Sequence, residues 1–419
     1  MKKKKKIKIF SIIIFLLLLI ISIFIVTKIF SKEEKKQDTL MADLINKDIS
    51  YAKEYSSLNK LDLNIEYKYS NDIEKDRIIN QSIEKDKIIK ENDTLNIIVS
   101  LGKIDKEKLA TDKINELGSV PIMMYHGIRE KTINDLGNTG GNVVKDGYNR
   151  TPDAFKKDLE MYYENGYEMI RLEDYINGSI DVSYGKSPII LTFDDGSMDN
   201  IKVTGLDSEG NILIDKRSAV GIMEEFKKNH PDAKVTATFF VNGSLFNQNE
   251  YNEKILTWLV DNGYDIGNHT QNHLDIKSSS SDKVQKEIAY VYDKLETIIP
   301  GKYVKIIALP FGSPYTKTHE NFKYVLNTTY NNKEYITESA LRVGWEPEVS
   351  PFNKNFDKTF LKRCRAYDNN GKDFDIDYVF NKMLKEKKYI SDGNKNTITI
   401  PKEKEEVLNN FNNLEVITY

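Results

Sequence analysis

Residues 190–200 read ILTFDDGSMDN, and this stretch places two adjacent aspartates, Asp194 and Asp195, directly after an apolar run. The run from Pro188 to Phe193 has the length and composition of a buried strand. Burying two like charges behind such a strand is costly unless a cation or a proton compensates them. The stretch therefore predicts a buried strand that delivers a pair of carboxylates to a polar site.

The segments around this strand predict the fold class. Between residues 119 and 419, apolar strand-like runs alternate with helix-like segments, among them residues 152–164, which begin with a proline and end before Asn165-Gly166. This alternation is typical of an α/β parallel sheet or barrel. In such folds functional side chains lie at the carboxyl ends of the strands, so we expect the aspartate pair at that edge.

A second polar segment has the residue types of a metal site. Two of the chain's five histidines, His269 and His273, lie in IGNHTQNHLD (residues 266–275), again after a strand-like run. A spacing of four turns both imidazoles to one side if the segment forms a single helical turn. Two histidines and one carboxylate are a common metal-binding set that leaves positions open for water and substrate. The alternatives are an aspartate pair that only caps a turn and a histidine pair on a surface helix.

The two motifs together resemble a known family. TFDDGS and HTQNH are similar to the first two motifs of the polysaccharide deacetylases, the NodB-homology group or carbohydrate esterase family 4. The resemblance covers roughly residues 119 to 365 and implies a distorted (β/α) barrel. It implies that Asp194 is the general base and that Asp195, His269 and His273 hold a divalent metal ion, most often Zn²⁺, with Co²⁺ or Ni²⁺ as alternatives.

The third family motif is altered in this chain. IIALPFGSP (residues 306–314) keeps Pro310, Phe311 and Gly312, which in the resembling family line the active-site groove. The arginine that often precedes this motif and pairs with the base is replaced by alanine and leucine. Arg363, at the end of a later apolar run, is the candidate replacement, although an arginine there is also typical of a solvated surface.

The general acid must also come from an unusual place. No histidine follows His319, whereas the family's acid is a histidine near the end of the domain. His126, in VPIMMYHGI (residues 120–128), ends the domain's first predicted strand, an order similar to the circularly permuted branch that includes bacterial poly-N-acetylglucosamine deacetylases. We predict His126 as the acid, with a structural histidine beside a tyrosine as the alternative. Trp345 is predicted to wall the acetyl pocket, unless it is an ordinary core residue.

The amino-terminal residues predict a membrane anchor. Residues 1–8 contain six lysines, and residues 9–27 are uncharged. Nineteen helical residues at ~1.5 Å each nearly span the ~30 Å hydrocarbon core of a bilayer. The lysines predict a cytoplasmic tail, so residues 28–40 become an exterior linker and the rest of the chain is expected outside the cell. A buried core helix is the alternative to a transmembrane helix.

Residues 41–103 resemble a PASTA domain. DLINKDISYAKEY (residues 43–55) carries the opening helix, predicted over Ile49–Leu58, and IINQSIEKDKIIKENDTLNIIVSLGK (residues 78–103) carries the end of the module. Further strands are predicted at 63–69, 77–82 and 94–101. The resemblance implies association with peptidoglycan or another wall polymer, with a spacer as the alternative. Residues 104–118 are predicted to link this module to a deacetylase domain over residues 119–419.

Composition excludes several other functions. The formal net charge is −3, and seven of the 61 basic residues but none of the 64 acidic ones lie in residues 1–30, so the remainder is acidic. That charge gives no support to nucleic-acid binding, which favours a basic face. A single cysteine forms neither a disulfide framework nor a thiolate metal cluster.

These observations predict a single-pass, membrane-anchored extracellular enzyme. Its expected reaction is metal-dependent removal of N-acetyl groups from N-acetylglucosamine residues of peptidoglycan. Two alternatives stay open, a deacetylase of a secreted poly-N-acetylglucosamine polymer and a non-catalytic wall-binding protein.

Overall fold

A computed structural model of the chain describes residues 39–130 and 149–419. The chain divides into two compact units, residues 1–104 and residues 105–419. The predicted cytoplasmic tail and transmembrane segment, and the predicted linker up to residue 38, lie outside the described residues. Within the described residues, no helix combines the length and the apolar character needed to cross a bilayer.

The smaller unit combines one helix with short strands. Helix α1 (Ile49–Leu58) agrees with the predicted bounds, and it begins after Asp48, whose side chain accepts a hydrogen bond from the Ser50 N–H. The main sheet has the order β2-β5-β3, with β2 parallel and β3 antiparallel to β5. Its strands are β2 (Asp62–Lys68), β3 (Ile78–Gln81) and β5 (Thr94–Ser100), while β1 (Thr39–Leu40) pairs with β4 (Ile88–Ile89).

The predicted strands of this unit are confirmed with small shifts in their bounds. Alternate residues of β5, namely Leu95, Ile97 and Val99, are buried. This alternation is typical of a strand with one face on a core and one toward solvent. The sheet therefore buries one face in a small core of its own.

The larger unit contains a nine-stranded parallel sheet, a half-barrel. The strands follow the order β19-β18-β15-β14-β13-β10-β6-β20, and β9 pairs with β10. These strands are β6 (Ile122–Tyr125), β9 (Tyr167–Met169), β10 (Ser187–Phe193), β13 (Thr238–Val241), β14 (Asp265–Asn268), β15 (Ile306–Ala308), β18 (Ser339–Leu341), β19 (Phe360–Leu361) and β20 (Cys364–Arg365).

Helices and short paired strands surround this sheet. The helices are α2 (Lys106–Thr111), α3 (Pro152–Glu164), α4 (Leu172–Ile176), α5 (Ala219–Asn229), α6 (Asn252–Asp261), α7 (Ser281–Ile298), α8 (Phe322–Leu326) and α9 (Ile376–Tyr378). The paired strands are β7 (Gly127–Ile128) with β8 (Asn149–Arg150), β11 (Val203–Leu206) with β12 (Ile212–Ile214), β16 (Asn327–Tyr330) with β17 (Lys333–Ile336), and β21 (Thr397–Ile400) with β22 (Glu415–Thr418). Strands β11 and β12 are antiparallel and form a hairpin that turns at residues 207–211.

Strand β10 lies at the centre of the fold and is buried along its whole length. Ile189, Leu191 and Phe193 pack in a core cluster on one side of the sheet, whereas Ile190 packs in a second cluster on the other. A strand covered on both faces needs apolar residues at successive positions, which explains the uninterrupted run in the sequence. The ring of Phe193 stacks on the neighbouring strands, 5.2 Å from Tyr125 and 4.9 Å from Phe239 between ring centroids.

The segment from Phe360 to Arg365 pairs with both sides of the half-barrel. Strand β19 pairs in parallel with β18, and β20, only two residues later, pairs in parallel with β6. Strand β6 in turn pairs with β10. The first strand of the unit therefore lies directly beside the strand that ends at the aspartate pair, as the placement of His126 requires.

The predicted linker over residues 104–118 is instead largely part of the larger unit. It contains α2 and a buried carboxylate, Glu116, which accepts hydrogen bonds from the Thr399 N–H and the Tyr389 hydroxyl. Burial raises the pKa of this carboxyl well above its ordinary value. The burial of this polar segment could not be predicted locally, because the hydrogen-bond partners of Glu116 are about 280 residues further along the chain.

Candidate metal centre and active site

Three parallel strands deliver the candidate site residues to one edge of the sheet. Asp194 and Asp195 follow β10, His269 follows β14, and His126 follows β6. Strand β13 lies between β10 and β14, so the aspartates and His269 start two strands apart. The carboxyl ends of parallel strands share an edge, so these side chains lie at the edge of the sheet where the sequence places them.

The turns behind these strands adopt left-handed backbone. Asp195 has φ 73°, Thr270 φ 60° and His273 φ 54°. Each such non-glycine residue costs on the order of 1–3 kcal/mol and persists where the surrounding structure enforces it. Gly196 (φ 56°) is required next to them, because a Cβ there would lie 2.3 Å from the Leu245 carbonyl oxygen.

The histidine segment forms a turn and not the helical turn that the spacing suggested. The Thr270 N–H donates to Asn268 Oδ1 at 2.8 Å, and the Leu274 N–H donates to the Thr270 hydroxyl at 2.9 Å. These local hydrogen bonds replace helical ones, which is typical of Asn and Thr in tight turns. The two imidazoles nevertheless reach one point, with ring centroids 4.9 Å apart.

Asp195, His269 and His273 form a cluster that could hold a metal ion. One potential ligand atom from each residue lies within 4.8 Å of the others. Asp195 Oδ1 is 3.2 Å from His269 Nε2 and 3.5 Å from His273 Nε2. The structure therefore brings the three predicted ligands together, although Asp195 and His273 are 78 positions apart in the chain.

The hydrogen bonding of His269 tests whether this cluster fits a cation. Its Nδ1 lies 2.8 Å from the Ala308 carbonyl oxygen, which can only accept, so Nδ1 carries the proton and Nε2 of the neutral ring presents a lone pair. That Nε2 is buried and has no hydrogen-bond partner among the described residues, yet it faces a carboxylate oxygen. Two facing acceptors need a cation or a proton between them. A carbonyl that fixes the tautomer is also the usual second partner of a metal-binding histidine.

The charges of the cluster also favour a bound cation. Burial opposes ionisation of Asp195, but the neighbouring imidazoles outweigh it and hold the pKa of this carboxyl far below its ordinary value. Burial likewise lowers the pKa of His269, and the contact with Asp195 reverses this effect, so the net shift is upward. The carboxylate is thus ionised and demands positive charge beside it.

Asp194 has a separate role in the structure. It is buried, and Arg363 donates to both of its carboxylate oxygens at 2.7 Å, while a further N–H of Arg363 reaches the Thr192 hydroxyl at 3.2 Å. Burial raises the pKa of Asp194, but the charge and hydrogen bonds of Arg363 outweigh this effect and lower it. Arg363, itself fully buried, occupies the position predicted for the arginine that pairs with the candidate base.

His126 also lies close to Asp194. Its Nε2 is 4.0 Å from Asp194 Oδ2, and its backbone carbonyl accepts a hydrogen bond from Asn200 Nδ2 at 2.6 Å. Burial lowers the pKa of His126, against the opposing charges of Asp194 and Asp195. The imidazole is therefore close enough to the aspartate pair to act on the same bound molecule.

These side chains surround one cavity of about 410 Å³. It is lined by His126, Arg129, Asn149, Asp194, Asp195, Ser197, His269, His273, Leu309, Phe311 and Val343.

Of the three retained residues of the third motif, Pro310, Phe311 and Gly312, Phe311 lines the cavity. Its ring is 57% exposed and lies 4.4 Å from the ring of His273, between centroids. Its backbone is left-handed (φ 58°), and Gly312 follows with φ 65° in a position where a Cβ would lie 2.7 Å from the Val343 nitrogen. Pro310 and Gly312 belong to the same turn, and neither is among the described residues that line the cavity.

Trp345 does not occupy the predicted place either. It is 43% exposed, and its ring faces the guanidinium of Arg365 at 6.0 Å. Among the residues that the structure describes, Val343, two positions earlier, is the nearer contributor to the cavity wall.

The sequence reasoning missed Arg129, Asn149, Ser197, Leu309 and Val343. Arg129 and Asn149 are brought to the cavity by the parallel pairing of β7 with β8. These strands have two residues each, too short to give a periodic signal in the sequence.

A parallel half-barrel with an Asp-His-His cluster at the carboxyl edge defines the larger unit as an α/β protein of the deacetylase fold class, with a candidate metal centre. The comparison with family models gives the particular family. Residues 181–329 match the polysaccharide deacetylase family and residues 39–101 match the PASTA domain. The chain therefore contains a polysaccharide deacetylase domain of carbohydrate esterase family 4 and a PASTA domain, and both resemblances noted in the sequence are confirmed.

The search of solved structures gave matches, whereas the search of curated proteins gave none. BA0330 from Bacillus anthracis is 21% identical with a TM-score of 0.41, over 59% of this chain and 65% of that one. The Streptococcus pyogenes deacetylase PplD, solved in complex with acetate, is 18% identical with a TM-score of 0.44, over 64% of this chain and 98% of that one. IcaB from Ammonifex degensii is 15% identical with a TM-score of 0.38, over 59% and 92% of the two chains. The chain thus spans about two thirds of the length of BA0330.

Proposed function

We propose that this protein is a metal-dependent deacetylase that removes N-acetyl groups from N-acetylglucosamine residues of peptidoglycan. The observation that carries the proposal is the position of Asp194, ionised and oriented by Arg363, directly beside the Asp195, His269 and His273 cluster. A base next to a cation site is the arrangement that hydrolysis of an unreactive amide requires.

The metal would supply the electrophilic part of the chemistry. A divalent cation held by Asp195, His269 and His273 would polarise the acetamide carbonyl and lower the pKa of a water molecule. Two neutral imidazoles and one carboxylate suit Zn²⁺, with Co²⁺ and Ni²⁺ as alternatives.

Asp194 is the proposed general base. Its lowered pKa keeps the carboxylate ionised at neutral pH, so it can accept the proton of the attacking water. The two parallel hydrogen bonds from Arg363 fix the plane of the carboxylate, which restricts the direction from which a proton can arrive.

His126 is the proposed general acid. The amine is a poor leaving group unless it is protonated, and the imidazolium of His126 would give it that proton. Its Nε2, 4.0 Å from Asp194 Oδ2, faces the same cavity from the neighbouring strand β6. Because β6 pairs directly with β10, a histidine from the start of the domain can serve a site built by later strands.

The proposed substrate and location rest on the other parts of the chain. The PASTA match supports a wall polymer as the partner, and the predicted anchor at residues 9–27 supports a single-pass membrane protein whose deacetylase domain is extracellular. Secreted poly-N-acetylglucosamine is the second candidate substrate, favoured by the early position of His126.

Acetate release from the full-length chain in detergent tests the proposal. We expect release from purified peptidoglycan that exceeds release from N-acetylglucosamine oligomers and that stops with a chelator. Loss with Asp194→Asn and with His126→Ala, but not with His319→Ala outside the cavity, would support the two roles. Full activity of Asp194→Asn, or no acetate from any glycan, would overturn it.

A further inference from the structure

Arg129 brings a cationic side chain to the wall of the candidate active-site cavity. It follows β7 directly, and it is exposed. It has no part in the proposed base, acid or metal set. Its presence beside a glycan site therefore calls for a separate explanation.

Most of the acidic residues around Arg129 pair with other arginines. Glu130, the next residue in the chain, pairs with Arg217, and Asp158 and Asp368 pair with Arg150. The remaining acidic neighbour is Asp199, whose pKa is raised by burial against the opposing charge of Arg129.

No ion pair within 4.0 Å forms between Arg129 and a carboxylate of residues 39–130 or 149–419. On the cavity wall, Asp194 is neutralised by Arg363, and Asp195 lies among imidazoles. Among the described residues that line this wall, Arg129 therefore has no carboxylate within 4.0 Å, and Asp199, the acidic neighbour on which its charge acts, does not line the cavity. An exposed guanidinium in such a position keeps its capacity to bind an anion.

The backbone that carries Arg129 is held in place. Its N–H donates to the Arg150 carbonyl oxygen at 2.9 Å, extending the β7–β8 pairing. Arg150 is anchored in turn by two hydrogen bonds to the buried Asp158. Gly127 permits the close approach of the two strands, because a Cβ there would lie 2.6 Å from Asn149 Oδ1. The backbone of Arg129 is therefore held by the strand pairing. Its side chain loses less conformational entropy on binding than it would if it extended from a free loop.

We propose that Arg129 makes this site prefer glycans that carry an anionic group, a carboxylate or a phosphate, on or next to the N-acetylglucosamine unit in the cavity. This inference rests on the proposed function and adds the charge of the substrate to it. The planar guanidinium matches both anions through paired N–H donors. A neutral homopolymer of N-acetylglucosamine would leave this cation unpaired.

Binding to the full-length chain in detergent tests the inference separately from catalysis. Four probes, which form two pairs of an anionic and a neutral compound, are compared by calorimetry in the presence of a chelator, which prevents turnover. They are a neutral N-acetylglucosamine tetramer, a tetramer of alternating N-acetylglucosamine and glucuronate, and N-acetylglucosamine 6-phosphate against N-acetylglucosamine. Arg129→Gln removes the charge and Arg129→Lys keeps it, while Lys228→Gln removes a charge from an exposed position of α5.

We expect at least one anionic probe to bind about 10-fold more tightly than its neutral counterpart, because a charge-assisted hydrogen bond typically raises affinity by about this factor. Arg129→Gln should abolish this preference, Arg129→Lys should retain part of it, and Lys228→Gln should leave it unchanged. The anionic probe that shows the preference identifies the carboxylate or the phosphate as the recognised group. Equal affinity for anionic and neutral probes, or a preference that persists in Arg129→Gln, would overturn the inference. An absence of acetate release would overturn the proposed function and leave this binding result intact.

Discussion

Replacing Arg363 by methionine should destabilise the larger unit and disable the candidate base together. Arg363 is fully buried, and it donates three hydrogen bonds to Asp194 and Thr192. Methionine keeps an unbranched apolar stem of similar length and removes the charge. Asp194 would then be a buried carboxylate without its counter-ion.

The expected cost follows from this uncompensated charge. Removing one partner of a buried ion pair typically costs about 3–5 kcal/mol. The loss of Arg363 also leaves burial as the dominant influence on Asp194, so the pKa of this carboxyl should rise. A carboxyl that is partly protonated at neutral pH is a poorer acceptor, so acetate release should fall as well.

Urea denaturation of the full-length chain, followed by tryptophan fluorescence, measures the cost. Both tryptophans of the chain, Trp258 and Trp345, lie in the larger unit, so the signal reports on that unit. The control is Arg217→Met, because Arg217 is 51% exposed and pairs only with exposed acids. We expect this control to cost about 0–1 kcal/mol.

A double-mutant cycle separates the ion pair from simple loss of packing. Asp194→Asn alone leaves Arg363 without its carboxylate, whereas the double variant removes both charges. The double variant should be more stable than the sum of the two single costs predicts, by about 2 kcal/mol. Additive costs, or an Arg363→Met variant within about 1 kcal/mol of the wild type, would refute the reasoning.

Three further predictions concern the metal, pH and the cavity turn. Elemental analysis should find one divalent ion per chain in the wild type and much less in Asp195→Asn, and equal contents would contradict the assigned ligand set. Burial raises the pKa of Asp265 from 3.8 to about 6 despite Arg171, so its ionisation destabilises the fold; the free energy of unfolding should fall by up to about 3 kcal/mol as pH rises from 4 to 6, and less in Asp265→Asn. The Ser313 hydroxyl donates to Asp275 Oδ1 at 2.7 Å, directly after the turn that carries Phe311 into the cavity wall. Because this hydrogen bond ties the end of that turn to Asp275, Ser313→Ala should lower acetate release several-fold while the free energy of unfolding changes by only about 1 kcal/mol. Unchanged release would contradict this expectation.

The parts of the site that follow long buried strands were predictable from the sequence. Asp194 and Asp195 follow a seven-residue buried strand, and functional side chains of parallel sheets lie at the carboxyl ends of such strands. His269 and His273 were found by residue type and spacing, although the backbone between them is a turn and not a helix. The spacing predicted that the two imidazoles lie close together. The backbone conformation that brings them together is set by hydrogen bonds of the Asn268 and Thr270 side chains.

Other parts depend on contacts that no local pattern records. Arg363 was a candidate by residue type alone, and only the pairing of β20 with β6 brings it to a carboxylate 169 residues away. Trp345 was placed in the pocket by its aromatic character, but the strand before it directs Val343 to the cavity. Glu116 was read as part of a polar linker, because the groups that compensate its burial come from the end of the chain.

The six residues from Phe360 to Arg365 connect the two ends of the half-barrel sheet to the candidate active site. All three candidate metal ligands precede this hexapeptide in the chain, and the partner of Asp194 lies within it, between β19 and β20. A chain interrupted before Phe360 would carry every ligand for the ion and lack the guanidinium that keeps the proton acceptor charged. In the order of synthesis, the three candidate ligands therefore come before the arginine that holds the candidate base in place.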